Sequence, residues 1–128
     1  MKTIIHTDDA PKAVGPYSQA VRTGNLLFTA GQVAIDPAIG KLIEGDIAAQ
    51  AEQVMQNLQA VLTAAGTSFD HVVKTTVFLV DMADYAGLNE VYGRYVTNNP
   101  PARSAFAVGG LPLGAKVEIE MVAEIPDA

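Results

Sequence analysis

The 128-residue chain contains no cysteine and no tryptophan, and it has only two histidines, His6 and His71. Without cysteine there is no thiol nucleophile, and the chain cannot form a disulfide, a thiolate zinc site or an iron–sulfur cluster. Neither histidine belongs to an HExxH motif or to a cluster of acidic residues, so the sequence contains no signal for a metal site. The histidines also lack the serine and acid context of a catalytic triad.

Basic residues are scarce too, with eight Lys and Arg against fourteen Asp and Glu, for a net charge of −6. They are scattered, which disfavours nucleic acid as a partner because phosphate binding depends on clustered positive charge. Apolar runs are short and the N-terminus lacks the apolar stretch of a signal peptide, so we expect no membrane span. With 49% hydrophobic and 17% charged residues, the sequence predicts one soluble globular domain over residues 1–128, located in the cytoplasm.

Two stretches have the apolar period of an amphipathic helix. The first covers residues 46–65, with Asp46 as its N-cap and Gly66 as the residue that ends it. The second covers about 82–97 and follows Asp81, which is a second candidate N-cap. The sequence therefore predicts two helices of unequal length.

The remaining segments predict strands. Gly24-Asn25 is a dipeptide typical of a hairpin turn. Near the C-terminus, Val117 and Ile119 share one strand face while Glu118 and Glu120 share the other. The predicted strands lie at 3–6, 19–24, 25–31, 71–80, 104–108 and 115–125.

The predicted order is β-β-β-α-β-α-β-β, an α+β pattern in which the two helices cover one face of the sheet. The opposite face must meet water or another subunit. Because Val122 would point away from the helices, that face is not fully polar. We therefore expect the protein to oligomerise through its sheet.

An arginine and a pair of glutamates are the main candidates for chemistry. Arg103 follows two prolines in PPARSAF, and a guanidinium held on such a restricted backbone can bind a carboxylate through two hydrogen bonds. Glu118 and Glu120 share a face that, if buried in an oligomer, would raise a carboxyl pKa toward the range of acid–base catalysis. The alternatives are an ordinary surface arginine and a solvated polar face.

Two loop residues are further candidates. Tyr17, in GPYSQ, can supply a ring wall or a phenolic hydrogen bond to a ligand, or it can pack at the rim of the fold. Gly31, at the end of a predicted strand, permits close approach of a ligand to the backbone. A β-bulge is the alternative explanation for this glycine.

Six segments, in chain order and over nearly the whole sequence, resemble the YjgF/Rid family of reactive intermediate deaminases. The PARS and VEIE motifs are among them. The segments are GPYSQAV (15–21), TAGQVAIDP (29–37), AAQAEQVMQNLQAVLTAAG (48–66), VVKTTVFLVDMADYAGLNEVY (72–92), PPARSAF (100–106) and KVEIEMVA (116–123).

The resemblance implies a chorismate-mutase-like α+β fold and a homotrimer with a barrel-like core of sheets, helices outside and ligand clefts between subunits. It also implies a 2-iminobutanoate/2-iminopropanoate deaminase. Such an enzyme hydrolyses reactive enamines and imines, such as 2-aminoacrylate and 2-aminocrotonate, to 2-oxo acids and ammonia. These intermediates arise from pyridoxal-phosphate enzymes, whereas the deaminase itself would need no cofactor and no metal.

The resemblance also implies roles for five residues. Arg103 matches the arginine that binds the substrate carboxylate, and Glu118 matches the acid that positions or activates water. Tyr17 matches an aromatic wall from a neighbouring subunit, and Gly31 matches a residue whose backbone approaches the ligand. Asn89 resembles an asparagine near the pocket.

The sequence departs from the family pattern at two positions. Ala105 stands where many members have cysteine, and Ala30 stands where serine is common. A hydroxyl that could touch the carboxylate is thus lost, and Thr29 or a backbone N–H is a candidate replacement. Both departures bear on substrate preference more than on the basic activity.

Three other functions are compatible with parts of the pattern. A non-catalytic module that binds 2-oxo acids would use Arg103 without needing Glu118. A specialised deaminase would act on a larger catabolic enamine. The ribonuclease role attributed to some relatives is disfavoured by the net charge of −6.

Overall fold

The computed structural model describes residues 1–127, which form a mixed sheet with two α-helices. Short 3₁₀ turns at Phe69–His71, Met82–Asp84 and Pro112–Gly114 connect some of these elements. In chain order the elements are β1 (Lys2–Ile5), β2 (Ala20–Thr23), β3 (Leu26–Thr29), β4 (Ile35–Asp36), β5 (Lys41–Leu42), α1 (Ile47–Ala64), β6 (Val72–Leu79), α2 (Tyr85–Tyr95), β7 (Ala102–Ala107) and β8 (Val117–Glu124).

Six of the strands form one sheet in the order β1-β2-β3-β8-β6-β7. Only the pair β6–β7 is parallel, and the other neighbours are antiparallel. The predicted α+β class is therefore confirmed. The structure adds a small hairpin of β4 and β5, which was not predicted because two-residue strands carry no periodic signal.

Helix α1 agrees with its prediction. The Asp46 carboxylate accepts a hydrogen bond from the backbone N–H of Ala49 at 3.0 Å, as expected of an N-cap. Gly66 follows the helix with a φ of +83°, a conformation that glycine adopts without steric cost. The helix buries its apolar face in the core through Ala51, Val54, Met55, Leu58, Val61 and Leu62.

The second helix begins later and ends earlier than the predicted range of 82–97. Asp81 does act as a cap, but its carboxylate accepts from the N–H of Ala83 at 2.9 Å and closes a 3₁₀ turn. The α-helix then runs over Tyr85–Tyr95, and Val96 leaves it with a ψ of 80°. This later start makes Tyr85 the first residue of α2.

Every predicted strand limit shifts by one or two residues; β1, for example, covers Lys2–Ile5 instead of 3–6, and β8 covers Val117–Glu124 instead of 115–125. His71 lies in a 3₁₀ turn, so β6 begins at Val72 instead of at residue 71. Strand β7 begins at Ala102 rather than 104, which places Arg103 inside a strand. The third strand ends at Thr29, two residues before the predicted end at Gly31.

The two faces of the sheet differ as the alternation in β8 predicts. Val117 and Ile119 are buried on the helix side, whereas Glu118 and Glu120 lie on the open face. That open face is partly apolar, and Phe106, 45% exposed, lies there opposite Phe78 with their rings edge to face at 5.3 Å. Exposed apolar surface of this kind is typical of a surface that contacts another chain.

Over residues 1–127, neither helix is long and apolar enough to cross a membrane.

Candidate functional site

Glu118 lies in a cleft of about 460 Å³ on the open face of the sheet. Strand alternation in β8 places its half-buried side chain there, beside the end of β3. Two other predicted site residues, Tyr17 and Gly31, line the same cleft. The full lining comprises Val14, Tyr17, Ala30, Gly31, Val33, Ile35, Pro112, Leu113 and Glu118.

Gly31 makes room for the Glu118 carboxylate. A Cβ at Gly31 would lie 2.5 Å from Oε2 of Glu118 and 2.8 Å from its Cδ, so any other residue here would displace the acid. Just beyond, Gln32 and Ile119 exchange backbone hydrogen bonds of 2.9 and 3.1 Å, which fix the position of Gly31 beside β8. The glycine is therefore needed for a close side-chain approach, a requirement that its position at a strand end did not reveal.

The Glu118 carboxyl has an altered acidity. Burial raises its pKa, and the negative charge of Glu120 on the same strand face raises it further. No basic side chain within residues 1–127 forms an ion pair with Glu118. A carboxyl with a raised pKa in a mainly apolar cleft is better suited to accept and return a proton than a fully solvated one.

Tyr17 forms one rim of the cleft and is 52% exposed. Its phenol oxygen accepts a long hydrogen bond of 3.4 Å from the N–H of Val14. The backbone N–H of Tyr17 donates to the Gly15 carbonyl at 2.8 Å. The ring is therefore held by its own loop, with most of its surface free to contact a ligand.

The loop bearing Tyr17 is anchored by Gln19, which the sequence analysis did not single out. Gln19 is buried, and its side-chain amide donates to the carbonyls of Thr7 and Pro11 at 2.9 and 2.8 Å. Its amide oxygen accepts from the Thr7 N–H at 2.7 Å. A glutamine two residues after an exposed tyrosine carries no distinctive signal, because its partners come from a different segment.

The part of the cleft wall formed by Val33 and Ile35 is supported from the core. Asn57 of α1 is buried and donates to the carbonyls of Val33 and Ile35 at 3.2 and 2.9 Å. Thr29, the candidate for the missing hydroxyl at Ala30, uses its oxygen to accept from the Met121 N–H at 3.0 Å. Thr29 thus secures β3 against β8.

Arg103 belongs to a second cluster, on the helix side of the sheet. It lies opposite Thr75 in the parallel β6–β7 pair, and Thr75 is buried beneath α2. One Nη of Arg103 donates to the Tyr85 phenol oxygen at 2.9 Å. The guanidinium carbon lies 4.8 Å from the ring centre of Tyr92 and 5.5 Å from that of Tyr85, within cation–π range.

The guanidinium of Arg103 has aromatic neighbours but no acidic one. Among residues 1–127 no Asp or Glu forms an ion pair with it. Tyr92 cannot shift easily, because its hydroxyl is hydrogen-bonded to Thr75 at 2.9 Å in a buried position. The cluster therefore presents a fixed cation whose remaining N–H groups are available to an anion.

Asn89 joins this second cluster through Tyr85. Hydrogen bonding from Asn89, followed by the hydrogen bond and charge of Arg103, lowers the pKa of the Tyr85 phenol. The helix period predicted Tyr85 only as part of an apolar face. Its spacing of four residues from Asn89, which places both on one side of a helix, is the signal that could have identified it.

The two clusters do not meet within one chain. Arg103 is in register with Thr75, whose side chain is buried on the helix side, whereas Glu118 is in register with Phe78 on the open face. Arg103 and Asn89 thus lie on one side of the sheet, and Glu118, Tyr17 and Gly31 on the other. Within the described part of the chain, no three His, Asp or Glu side chains converge as metal ligands.

Comparisons with known proteins connect this geometry to a family. The family model described as Endoribonuclease L-PSP matches residues 7–125. Protein DfrA of Myxococcus xanthus is 55% identical over 93% of this chain and 92% of its own. The 2-iminobutanoate/2-iminopropanoate deaminase of Mus musculus is 46% identical over 96% of this chain and 91% of its own. The crystal structure of E. coli TdcF with bound serine has a TM-score of 0.91 at 40% identity, covering 95% of this chain and 98% of that one.

Proposed function

The chain belongs to the endoribonuclease L-PSP family, which is the YjgF/Rid family, and from this premise we propose that it hydrolyses small 2-imino acids. The proposed substrates are 2-iminobutanoate and 2-iminopropanoate, the tautomers of 2-aminocrotonate and 2-aminoacrylate. The products are the 2-oxo acids and ammonia. The name of the mouse relative supports this substrate class, and the chorismate-mutase-like α+β fold is that of the family.

The observation that carries the proposal is a pair of complementary groups without internal partners. Within residues 1–127, Arg103 is a fixed cation without an acid as partner, and Glu118 is a half-buried acid without a cation as partner. Their positions on opposite sides of the sheet favour a site made by two chains, with Arg103 from one and Glu118 from its neighbour. Because β7 is an edge strand, a homotrimer in which the β7 edge of one chain meets the open sheet face of the next would bring Arg103 to Glu118. Such an assembly would also cover Phe28 and Phe106, which are 44% and 45% exposed in the single chain.

Substrate binding begins at Arg103. Its guanidinium matches the geometry of a carboxylate, and the bidentate contact orients the neighbouring C=N carbon. Holding the substrate in this way removes much of the entropic cost of bringing it to water and base. Because imines hydrolyse without a catalyst, the remaining acceleration is modest and needs few groups.

Glu118 then supplies proton transfer. As water attacks the imine carbon, the Glu118 carboxylate accepts one proton from the water and passes it to the imine nitrogen, which gives a neutral carbinolamine. Glu118 then accepts the proton of the carbinolamine hydroxyl and returns it to the amino nitrogen, so that the C–N bond breaks as the C=O bond of the 2-oxo acid forms and ammonia leaves. A raised pKa fits a group that must accept and return a proton in one cycle.

The direct test couples purified protein to a threonine or serine dehydratase and follows imine decay and ammonia release. Arg103→Ala is expected to abolish the acceleration and Glu118→Gln to abolish turnover while preserving binding of 2-oxobutanoate. The matched controls are Arg94→Ala, an exposed arginine of α2 paired with Glu90, and Glu120→Gln. Both controls should retain hydrolysis.

Other outcomes would assign a different function. Binding of 2-oxobutanoate by the unmodified protein without any acceleration would make it a 2-oxo acid-binding module. Acceleration only with bulkier enamines would make it a specialised catabolic deaminase. Salt-sensitive cleavage of RNA would favour the activity in the family description, against the net charge of −6.

A further inference from the structure

The phenol of Tyr85 is at the centre of the Arg103 cluster and is open to solvent. The tyrosine is 37% exposed, and its oxygen accepts a hydrogen bond of 2.9 Å from Arg103. Asn89, one helical turn along α2, also contributes to lowering the pKa of the phenol. A guanidinium can only donate, so the bond from Arg103 leaves the hydrogen of the phenol itself unused.

Within residues 1–127 the Tyr85 hydroxyl accepts the hydrogen bond from Arg103 and donates none. The other two tyrosines of α2 are engaged differently. Tyr95 donates to Glu52, and the hydroxyls of Tyr92 and the buried Thr75 are hydrogen-bonded to each other. Within the described part of the chain, Tyr85 is therefore a phenol whose O–H donates to no group and which lies beside a cation without an ion-pair partner.

We propose that Tyr85 is a second carboxylate-binding residue, whose O–H donates to the same substrate carboxylate that Arg103 binds. This proposal rests on the proposed function, because it assumes that Arg103 receives a carboxylate. A carboxylate has two oxygens with about four acceptor positions, so it can take the guanidinium and the phenol together. The lowered pKa of Tyr85 strengthens the phenol as a donor, which supports the assignment.

The local fold holds Tyr85 in place for this role. The Asp81-capped turn Met82–Asp84 delivers it as the first residue of α2, and Leu88 and Val91 anchor that helix in the core. Its ring also contacts the Arg103 guanidinium at 5.5 Å. Tyr85→Phe would keep the ring and this contact and would remove only the oxygen.

The experiment measures binding of 2-oxobutanoate, an unreactive product of the proposed reaction, to the whole protein by calorimetry. Loss of a hydrogen bond to a charged group is expected to weaken binding by about tenfold to a hundredfold in Tyr85→Phe. The uncharged analogue 2-oxobutanamide should bind both proteins with the same affinity. Tyr95→Phe removes a hydroxyl from the same helix without touching Arg103, and it should bind 2-oxobutanoate like the unmodified protein.

A second background separates direct binding from support of the arginine. In Arg103→Lys protein, a further Tyr85→Phe change should again weaken 2-oxobutanoate binding if the phenol contacts the carboxylate. No further loss would overturn the proposal, because Tyr85 would then act only through Arg103. Equal binding by Tyr85→Phe and unmodified protein would overturn it as well.

Failure of the proposed function gives a different result. If Arg103→Ala binds 2-oxobutanoate as well as the unmodified protein does, the carboxylate site itself is misassigned. If Arg103→Ala loses binding and Tyr85→Phe does not, only the role of Tyr85 is refuted.

Discussion

Replacing Gly31 by alanine tests whether the Glu118 carboxylate must occupy its observed position. The added Cβ would lie 2.5 Å from Oε2, 2.8 Å from Cδ and 3.0 Å from Cγ of Glu118. Unstrained nonbonded contacts are about 3.5 Å, so the carboxyl must retreat by about 1 Å. A displacement of that size in a catalytic group typically costs about a hundredfold in rate.

The same change should hardly affect folding. Gly31 does not have the positive φ that disfavours other residues, so alanine can adopt its backbone. Restricting the unfolded chain contributes about 0.4–1 kcal/mol of stability, which partly offsets the cost of moving Glu118. We therefore expect a thermal unfolding midpoint close to that of the unmodified protein together with a hundredfold lower kcat/KM for imine hydrolysis.

The assay pairs this variant with Gly93→Ala. A Cβ at Gly93 meets nothing within 4 Å, and alanine inside a helix adds about 0.5–1 kcal/mol of stability, so this control should keep full activity. Hydrolysis by Gly31→Ala at the rate of the unmodified protein would refute the reasoning, because the carboxylate would then work equally well from elsewhere.

Three further changes test the surroundings of Glu118 and the scaffold. Glu120→Gln removes a charge that raises the Glu118 pKa, so the acid limb of the kcat/KM profile should move to lower pH; an unmoved limb would mean that Glu118 is not the titrating base. Glu118→Gln should raise the unfolding temperature at neutral pH, because burial makes the charged form of Glu118 unfavourable in the folded state. This gain should vanish as the pH falls below the raised pKa and Glu118 becomes neutral. A gain that persists in acid would mean that the buried charge is not its cause. Gln19→Ala leaves the carbonyls of Thr7 and Pro11 unpaired, and denaturant unfolding should show a loss of about 1–3 kcal/mol, whereas an unchanged midpoint would show that water replaces the amide.

Local pattern was sufficient for the elements that contribute most to the core. The apolar period and the caps of α1 predict a helix within one or two residues of its observed ends, because Asp46 and Gly66 act on their immediate neighbours. Alternation in β8 likewise predicts which side chains are buried, because successive side chains of a strand point in turn to the core and to the open face.

Contacts that depend on strand pairing could not be predicted in this way. Gly31 meets Glu118 only because β3 lies beside β8, and the bridge between Gln32 and Ile119 sets their spacing. The pairing of strands so distant in sequence is not encoded in the residues around either one. The strand-end glycine predicts close approach by a ligand, and the structure adds the close approach of the Glu118 side chain, which the sequence did not indicate.

The position of Arg103 also depends on strand pairing, and it decides on which side of the sheet the guanidinium lies. A one-residue change in the register of β7 on β6 would move Arg103 from the helix side of the sheet to the open face, where Glu118 lies. The observed register instead pairs Arg103 with Thr75 and directs it toward Tyr85 and Tyr92. Each chain thus carries the carboxylate-binding Arg103 on the helix side of its sheet and the proton-transferring Glu118 on the open face. This is why a single chain offers no complete imine site, and why we expect activity to require the assembled protein.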